Sequence, residues 1–104
     1  MASHIIGIIG FGRMGRAIAG GLVKSGIDPT SIIVYDKESS ILQHAEAMGL
    51  KTASSSVEVV SNSDIVIVAV KPGDVVKVID EISPVAENRV VVSIAALVPY
   101  NTIK

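Results

Sequence analysis

Ile5-Ile6-Gly7-Ile8-Ile9-Gly10-Phe11-Gly12-Arg13-Met14-Gly15-Arg16-Ala17-Ile18-Ala19-Gly20-Gly21-Leu22-Val23-Lys24 is the stretch that decides the fold. Its first five residues form an isoleucine-rich run that reads as a buried strand, because β-branched side chains fit a covered, pleated surface. Glycines at positions 10, 12 and 15 then break the run. From Arg13 to Lys24 the apolar period becomes helical, and Ala17, Ile18, Gly21 and Leu22 are expected on the inner face of a first helix. Gly26 closes that helix, and Asp28-Pro29-Thr30 turns the chain.

The same alternation continues outward from this unit. Residues 31–35 read as a second strand, and residues 40–48 as a helix closed by Gly49. A short third strand is expected over 50–53, then a short helix over 56–61 behind a serine-rich entry suited to capping. Residues 65–70 form the fourth and most apolar strand. A helix over 73–82 carries Val75, Val76, Ile79 and Ile82 at helical spacing, and residues 89–94 form a fifth strand. Strictly alternating strands and helices predict an α/β fold, with right-handed crossovers putting helices on both faces of a parallel sheet. The expectation is a Rossmann-type doubly wound sheet of strand order 3-2-1-4-5, with a ligand crevice between strands one and four.

Composition agrees with one such domain over residues 1–104. The chain is 49% hydrophobic, with one Phe, two Tyr and no Trp, so Ile, Val and Ala build its interior. A net charge of −1 offers no general attraction to nucleic acid or to an anionic membrane. The absence of Cys excludes a disulfide framework, a thiolate metal site and a cysteine nucleophile. The run over 65–70 is far shorter than the roughly 18 residues of a membrane span. No signal peptide is read at the amino end, and a cytoplasmic setting is expected.

Gly10-Phe11-Gly12-Arg13-Met14-Gly15 is a G-x-G-x-x-G sequence. Such a pattern alone is weak, since glycines are common in turns. Here it follows a strand, opens a helix, and is answered by Asp36, about twenty residues beyond its last glycine. That combination is the fingerprint of a dinucleotide cofactor, NAD or NADP. Gly10 permits the tight turn, Gly12 lets backbone approach a pyrophosphate, and Gly15 permits close packing of helix on strand. The helix N-terminus supplies free N–H groups and positive dipole to the phosphates. Tyr35 and Asp36 end the second strand, where a carboxylate can accept from ribose hydroxyls and repel a 2′-phosphate. Lys37 and Arg13 are cations able to offset that repulsion, so the choice between NAD and NADP stays open.

Two further segments belong to the same rim. Ala69, Val70, Lys71 and Pro72 follow the fourth strand, where small residues let backbone meet the nicotinamide side. Pro72 suits the first turn of the next helix, which has no use for its missing N–H. Ser93 and Ala95 end the fifth strand. His4 and His44 lack partners at metal-ligand spacing, and neither paired carboxylates nor a Ser–His–Asp pattern is present.

Three stretches together resemble the amino-terminal domain of the pyrroline-5-carboxylate reductases. They are residues 8–15, 21–26 and 33–36. The most specific likeness is Asp64-Ile65-Val66-Ile67-Val68-Ala69-Val70-Lys71-Pro72, continued by Val91-Val92-Ser93-Ile94-Ala95-Ala96. The resemblance implies reduction of a small cyclic imine, Δ1-pyrroline-5-carboxylate, to proline by NADPH or NADH. In that family a helical carboxy-terminal domain supplies dimerisation and most substrate contacts, and nothing in this chain corresponds to it. The family commonly has Asn where this chain has Arg13, and Gly where it has Leu97. A surface left open for the absent domain, with residues 98–103 over it, is expected to promote self-association into a homo-oligomer. Two other readings share these features. One is a hydroxy-acid dehydrogenase of the 3-hydroxyisobutyrate or 6-phosphogluconate group. The other is a nucleotide-binding sensor without chemistry.

Overall fold

In a computed structural model, which describes residues 4–94, the first strand, β1 (Ile6–Ile9), sends Ile8 to one face of a sheet and Ile9 to the other. Alternation along a strand makes this unavoidable, and it divides the core into two halves. Each half is closed by a pair of helices. On one face, α1 (Arg13–Lys24) and α2 (Ser39–Ala47) cover Ile8, Ile32 and Val34, contributing Ala19 and Ala45. On the other, α3 (Ser56–Ser61) and α4 (Val75–Ile82) cover Ile9, Ile33, Val66 and Val68, contributing Val59, Val60, Val78 and Ile82.

The remaining strands are β2 (Ile32–Tyr35), β3 (Lys51–Thr52), β4 (Ile65–Val68) and β5 (Val90–Ser93). All pairings are parallel and the order is β3-β2-β1-β4-β5, as the alternation predicts. Ile8 stands between Val34 and Ile67 in register, so β1 is the central strand. From β1 the chain winds first toward β2 and β3, then crosses back to β4 and β5. The carboxyl ends of β1 and β4 therefore lead their loops in opposite directions, and a crevice opens between them.

Local departures from the sequence reading have identifiable causes. The inner face of α1 is Gly15, Ile18, Ala19, Leu22 and Val23, while Ala17 and Gly21 face solvent. The observed face keeps the closer helical spacing, with Ile18, Ala19, Leu22 and Val23 on one side, and it seats Gly15 against the preceding turn. The helix expected from Gly73 begins at Val75, behind a single 3-10 turn at Pro72–Asp74. Pro72 and Gly73 are poor α-helix residues, and the Asp74 N–H instead donates to the Lys71 carbonyl at 2.8 Å. In α4 the buried residues are Val78 and Ile82, and Val76 is 71% exposed. The fourth strand stops at Val68, two residues before its apolar run does.

β5 is an edge strand covered on one face. Val91 packs into the core beside Val66, whereas Val90 and Val92 point to the α1 side and are open. Among the described residues, helices therefore cover both faces of the sheet's middle but only one face of this edge. The segment over residues 98–103 lies outside the described residues.

Candidate functional site

The glycine turn owes its shape to contacts with both neighbouring strands. Gly10 adopts φ +97°, a left-handed conformation that side chains disfavour. A Cβ there would also stand 2.7 Å from the Ala69 carbonyl oxygen, so the loops after β1 and β4 touch through bare backbone. The Gly10 N–H donates to the Tyr35 carbonyl at 2.8 Å, and the Ala69 N–H to the Ile9 carbonyl at 2.7 Å. Gly15 is needed for a related reason. A Cβ on it would collide with the Gly10 carbonyl, with Ile8 Cγ2 at 3.6 Å behind. Its task is thus to seat the first turn of α1 on the glycine loop itself, with strand packing secondary.

Gly12 is the opposite case, because a Cβ there would meet nothing within 4 Å. This glycine caps α1 without a side-chain hydrogen bond, and the first turn holds no acidic residue. The first intrahelical bond runs from the Arg16 N–H to the Gly12 carbonyl at 2.9 Å. The N–H groups of Arg13, Met14 and Gly15 precede it and have no intrahelical acceptor. A helix end with open N–H groups, positive dipole and free space before it is built to receive an anion.

Asp36 closes the site from β2. One carboxylate oxygen accepts from the Phe11 N–H at 2.7 Å and the other from the Glu38 N–H at 2.9 Å. The carboxylate therefore clamps the glycine turn to the β2 loop. This leaves unshared lone pairs, because a carboxylate offers about four acceptor positions. The Phe11 side chain is fully buried in the core beneath α1, so its contribution is confined to that backbone donor.

Two adjoining clefts lie along this rim. One, of about 310 Å³, brings together Gly10, Gly12, Tyr35, Asp36 and Lys37 from the β1 and β2 ends with Asp74 beyond β4. The other, of about 270 Å³, is bounded by Arg13, Met14 and Pro72. Ala69, Val70 and Lys71 border both. Ser93, paired with Val68, borders neither, and its hydroxyl has no hydrogen-bond partner among the described residues. Ala95 lies outside the described residues.

The sequence reading missed the other wall of the larger cleft. Ser55 and Ser56 reach it from the start of α3. There Ser55 Oγ accepts from the Glu58 N–H at 3.0 Å, while Glu58 accepts from the N–H and hydroxyl of Ser54, each at 2.7 Å. Those two donors, the backbone one first, hold the Glu58 carboxyl below its ordinary range. The capping was legible in the serines, but their proximity to the glycine turn depends on the crossover. Asp74 was missed as well: Lys37 Nζ donates to its carboxylate at 3.4 Å across the cleft.

Chemically, the rim offers backbone donors at one point, a carboxylate beside them, and small apolar backbone opposite. It suits a ligand with a central anionic bridge and flat groups at its two ends. Among the described residues, no group of three or more His, Asp or Glu is placed to hold a metal ion.

Known proteins share this fold. The chain is 44% identical over 97 residues to the pyrroline-5-carboxylate reductase of Escherichia coli (strain K12), covering 88% of this chain and 35% of that protein. The structure of a pyrroline-5-carboxylate reductase from Coxiella burnetii superposes with a TM-score of 0.82 at 30% identity, over 88% of this chain and 35% of that one. The Plasmodium falciparum pyrroline carboxylate reductase with NADP bound gives a TM-score of 0.74 at 28% identity, over 90% and 34%. These relatives bear out the resemblance drawn from residues 8–15 and 64–72. The chain spans about a third of the length of the relatives it matches. Residues 5–97 match the family model described as NADP oxidoreductase coenzyme F420-dependent, and the chain belongs to that family.

Proposed function

We propose that this chain is the dinucleotide-binding domain of an oxidoreductase of the pyrroline-5-carboxylate reductase kind. NADP or NAD is held with its pyrophosphate against the first turn of α1. The observation that carries the reading is the uncapped helix end behind Gly12, standing where the loops of β1 and β4 part. Gly10 and Gly15 set the turn, Asp36 and Lys37 meet the adenosine ribose, and Ala69 to Pro72 flank the nicotinamide side with Arg13 and Met14. The bound cofactor supplies the hydride; this chain orients it and keeps its phosphates neutralised.

The small-molecule substrate is a cyclic imine, pyrroline-5-carboxylate, reduced to proline. Its contacts come chiefly from a helical domain outside this chain, so the isolated domain binds cofactor without turnover. The open pair Val90 and Val92 supports assembly into a homo-oligomer. A cytoplasmic setting accords with this chemistry. Among the described residues, no helix is long and apolar enough to cross a membrane.

Calorimetric titration with NADPH and NADH tests the reading. One-to-one binding of either, weakened at least tenfold by Gly12→Val, is the expected result. Failure of both to bind at millimolar concentration would overturn it.

A further inference from the structure

Asp74 stands at the N-cap of α4, where an aspartate ordinarily accepts from the helix's own first N–H groups. It makes no such bond. Its carboxylate instead turns across the larger cleft and meets Lys37 Nζ at 3.4 Å. Lys37 comes from the end of β2 and Asp74 from the turn after β4, so the pair bridges the two loops that diverge around β1. Both side chains line the cleft, and Asp36 lies next to Lys37 in the chain.

We propose that Asp74 is a specificity-determining residue for the dinucleotide, acting by occupying Lys37 and so disfavouring a ligand with a phosphate on its adenosine ribose. This inference rests on the cofactor reading above. A ribose with two free hydroxyls donates to carboxylates and gains from an ammonium only a neutral-acceptor hydrogen bond, weaker than the ion pair a phosphate would form. A ribose 2′-phosphate needs that ammonium, because the neighbouring Asp36 repels it. In the unliganded chain the ammonium is engaged by Asp74, so the phosphate competes with a carboxylate already in contact. The pair is solvent-exposed, with side chains 71% and 35% accessible, so its separation is easy and the discrimination is graded.

The test measures dissociation constants of NADPH and NADH for the wild-type chain, Asp74→Asn, Lys37→Ala and the double variant, by calorimetry at fixed ionic strength. Asp74→Asn is expected to tighten NADPH about two- to fivefold and to change NADH less than twofold. In the Lys37→Ala background the same substitution is expected to alter the NADPH-to-NADH ratio less than twofold. An unchanged ratio in Asp74→Asn would overturn the proposal. So would a gain that persists without Lys37, since Asp74 would then act by bulk repulsion alone. Binding of NADH with full affinity in every variant, alongside either result, would leave the cofactor reading standing. Binding of neither nucleotide by any variant would overturn both.

Discussion

Replacing Asp36 with alanine separates two roles that the site assigns to one carboxylate. In the unliganded chain this group accepts from the Phe11 N–H at 2.7 Å in a part-buried setting and from the Glu38 N–H at 2.9 Å near solvent. A hydrogen bond to a charged acceptor contributes about 1.5–3 kcal/mol when sheltered. Exposure reduces the second to about 0.5 kcal/mol. The lower end of the first range applies, because the Asp36 side chain keeps partial access to water. Asp36→Ala should therefore destabilise the domain by about 2 kcal/mol. With a urea dependence of about 1.5 kcal/mol per M, the unfolding midpoint should fall by about 1.3 M. Asp36→Asn keeps one acceptor oxygen and should lose about half as much. Urea unfolding followed by circular dichroism measures both, with Lys37→Ala as a control expected to shift stability by less than about 0.5 kcal/mol. A midpoint for Asp36→Ala within about 0.3 M of wild type would refute the clamp and leave Asp36 a ligand residue only.

Three other outcomes follow from the same geometry. Gly15→Ala should cost about 1–3 kcal/mol in the same unfolding assay, because its Cβ collides with the Gly10 carbonyl. This runs against alanine's advantage of about 1 kcal/mol as a helix former, so a stabilised variant would contradict the contact. Arg89 binds the carbonyls of Val60, Ser61 and Ser63 at the end of α3, and Arg89→Ala should lower stability by about 1–2 kcal/mol in chemical denaturation. Arg89→Lys should restore little of it, since one ammonium cannot reproduce the guanidinium fork. Hydrogen bonds to Ser54 lower the Glu58 carboxyl in the folded state, and those to Thr30 lower Asp28. Stability from both is present above their ordinary values of 4.5 and 3.8 and is lost as pH falls through the lower folded values. Thermal melts of Glu58→Gln should accordingly lose less stability on acidification below pH 4.5 than wild type does.

The parts of the fold that were legible in the sequence are those set by local pattern. Isoleucine and valine blocks between helical periods gave the strand order, because a parallel sheet with right-handed crossovers leaves few topologies. The bounds of α1 and α3 were readable from the glycine turn and the serine cap respectively. Faces were harder. Val75, Val78, Ile79 and Ile82 keep the helical spacing that Val76 breaks, and Ile18, Ala19, Leu22 and Val23 keep the one that Ala17 breaks, so each buried face was present in the pattern but lies a position or two from the expected one. In the site, the residues near the motif were readable because the turn itself carries them. Asp74 and Ser56 were not, since a crossover brings them to the cleft from distant positions. Phe11 illustrates a different limit. Its place in the motif marks it for the ligand side, yet the turn points its ring into the core.

The central claim is that a dinucleotide rests on the open end of α1 at the switch point of the sheet. Titrating ¹⁵N-labelled chain with NADH, and separately with NADPH, while following the amide spectrum tests it most directly. The amides of Gly10, Gly12, Arg13, Met14 and Gly15 should shift most and saturably, with Asp36 and Ala69 following and the β5 edge unmoved. Shifts confined to other surfaces, or an unchanged spectrum at millimolar nucleotide, would contradict the account.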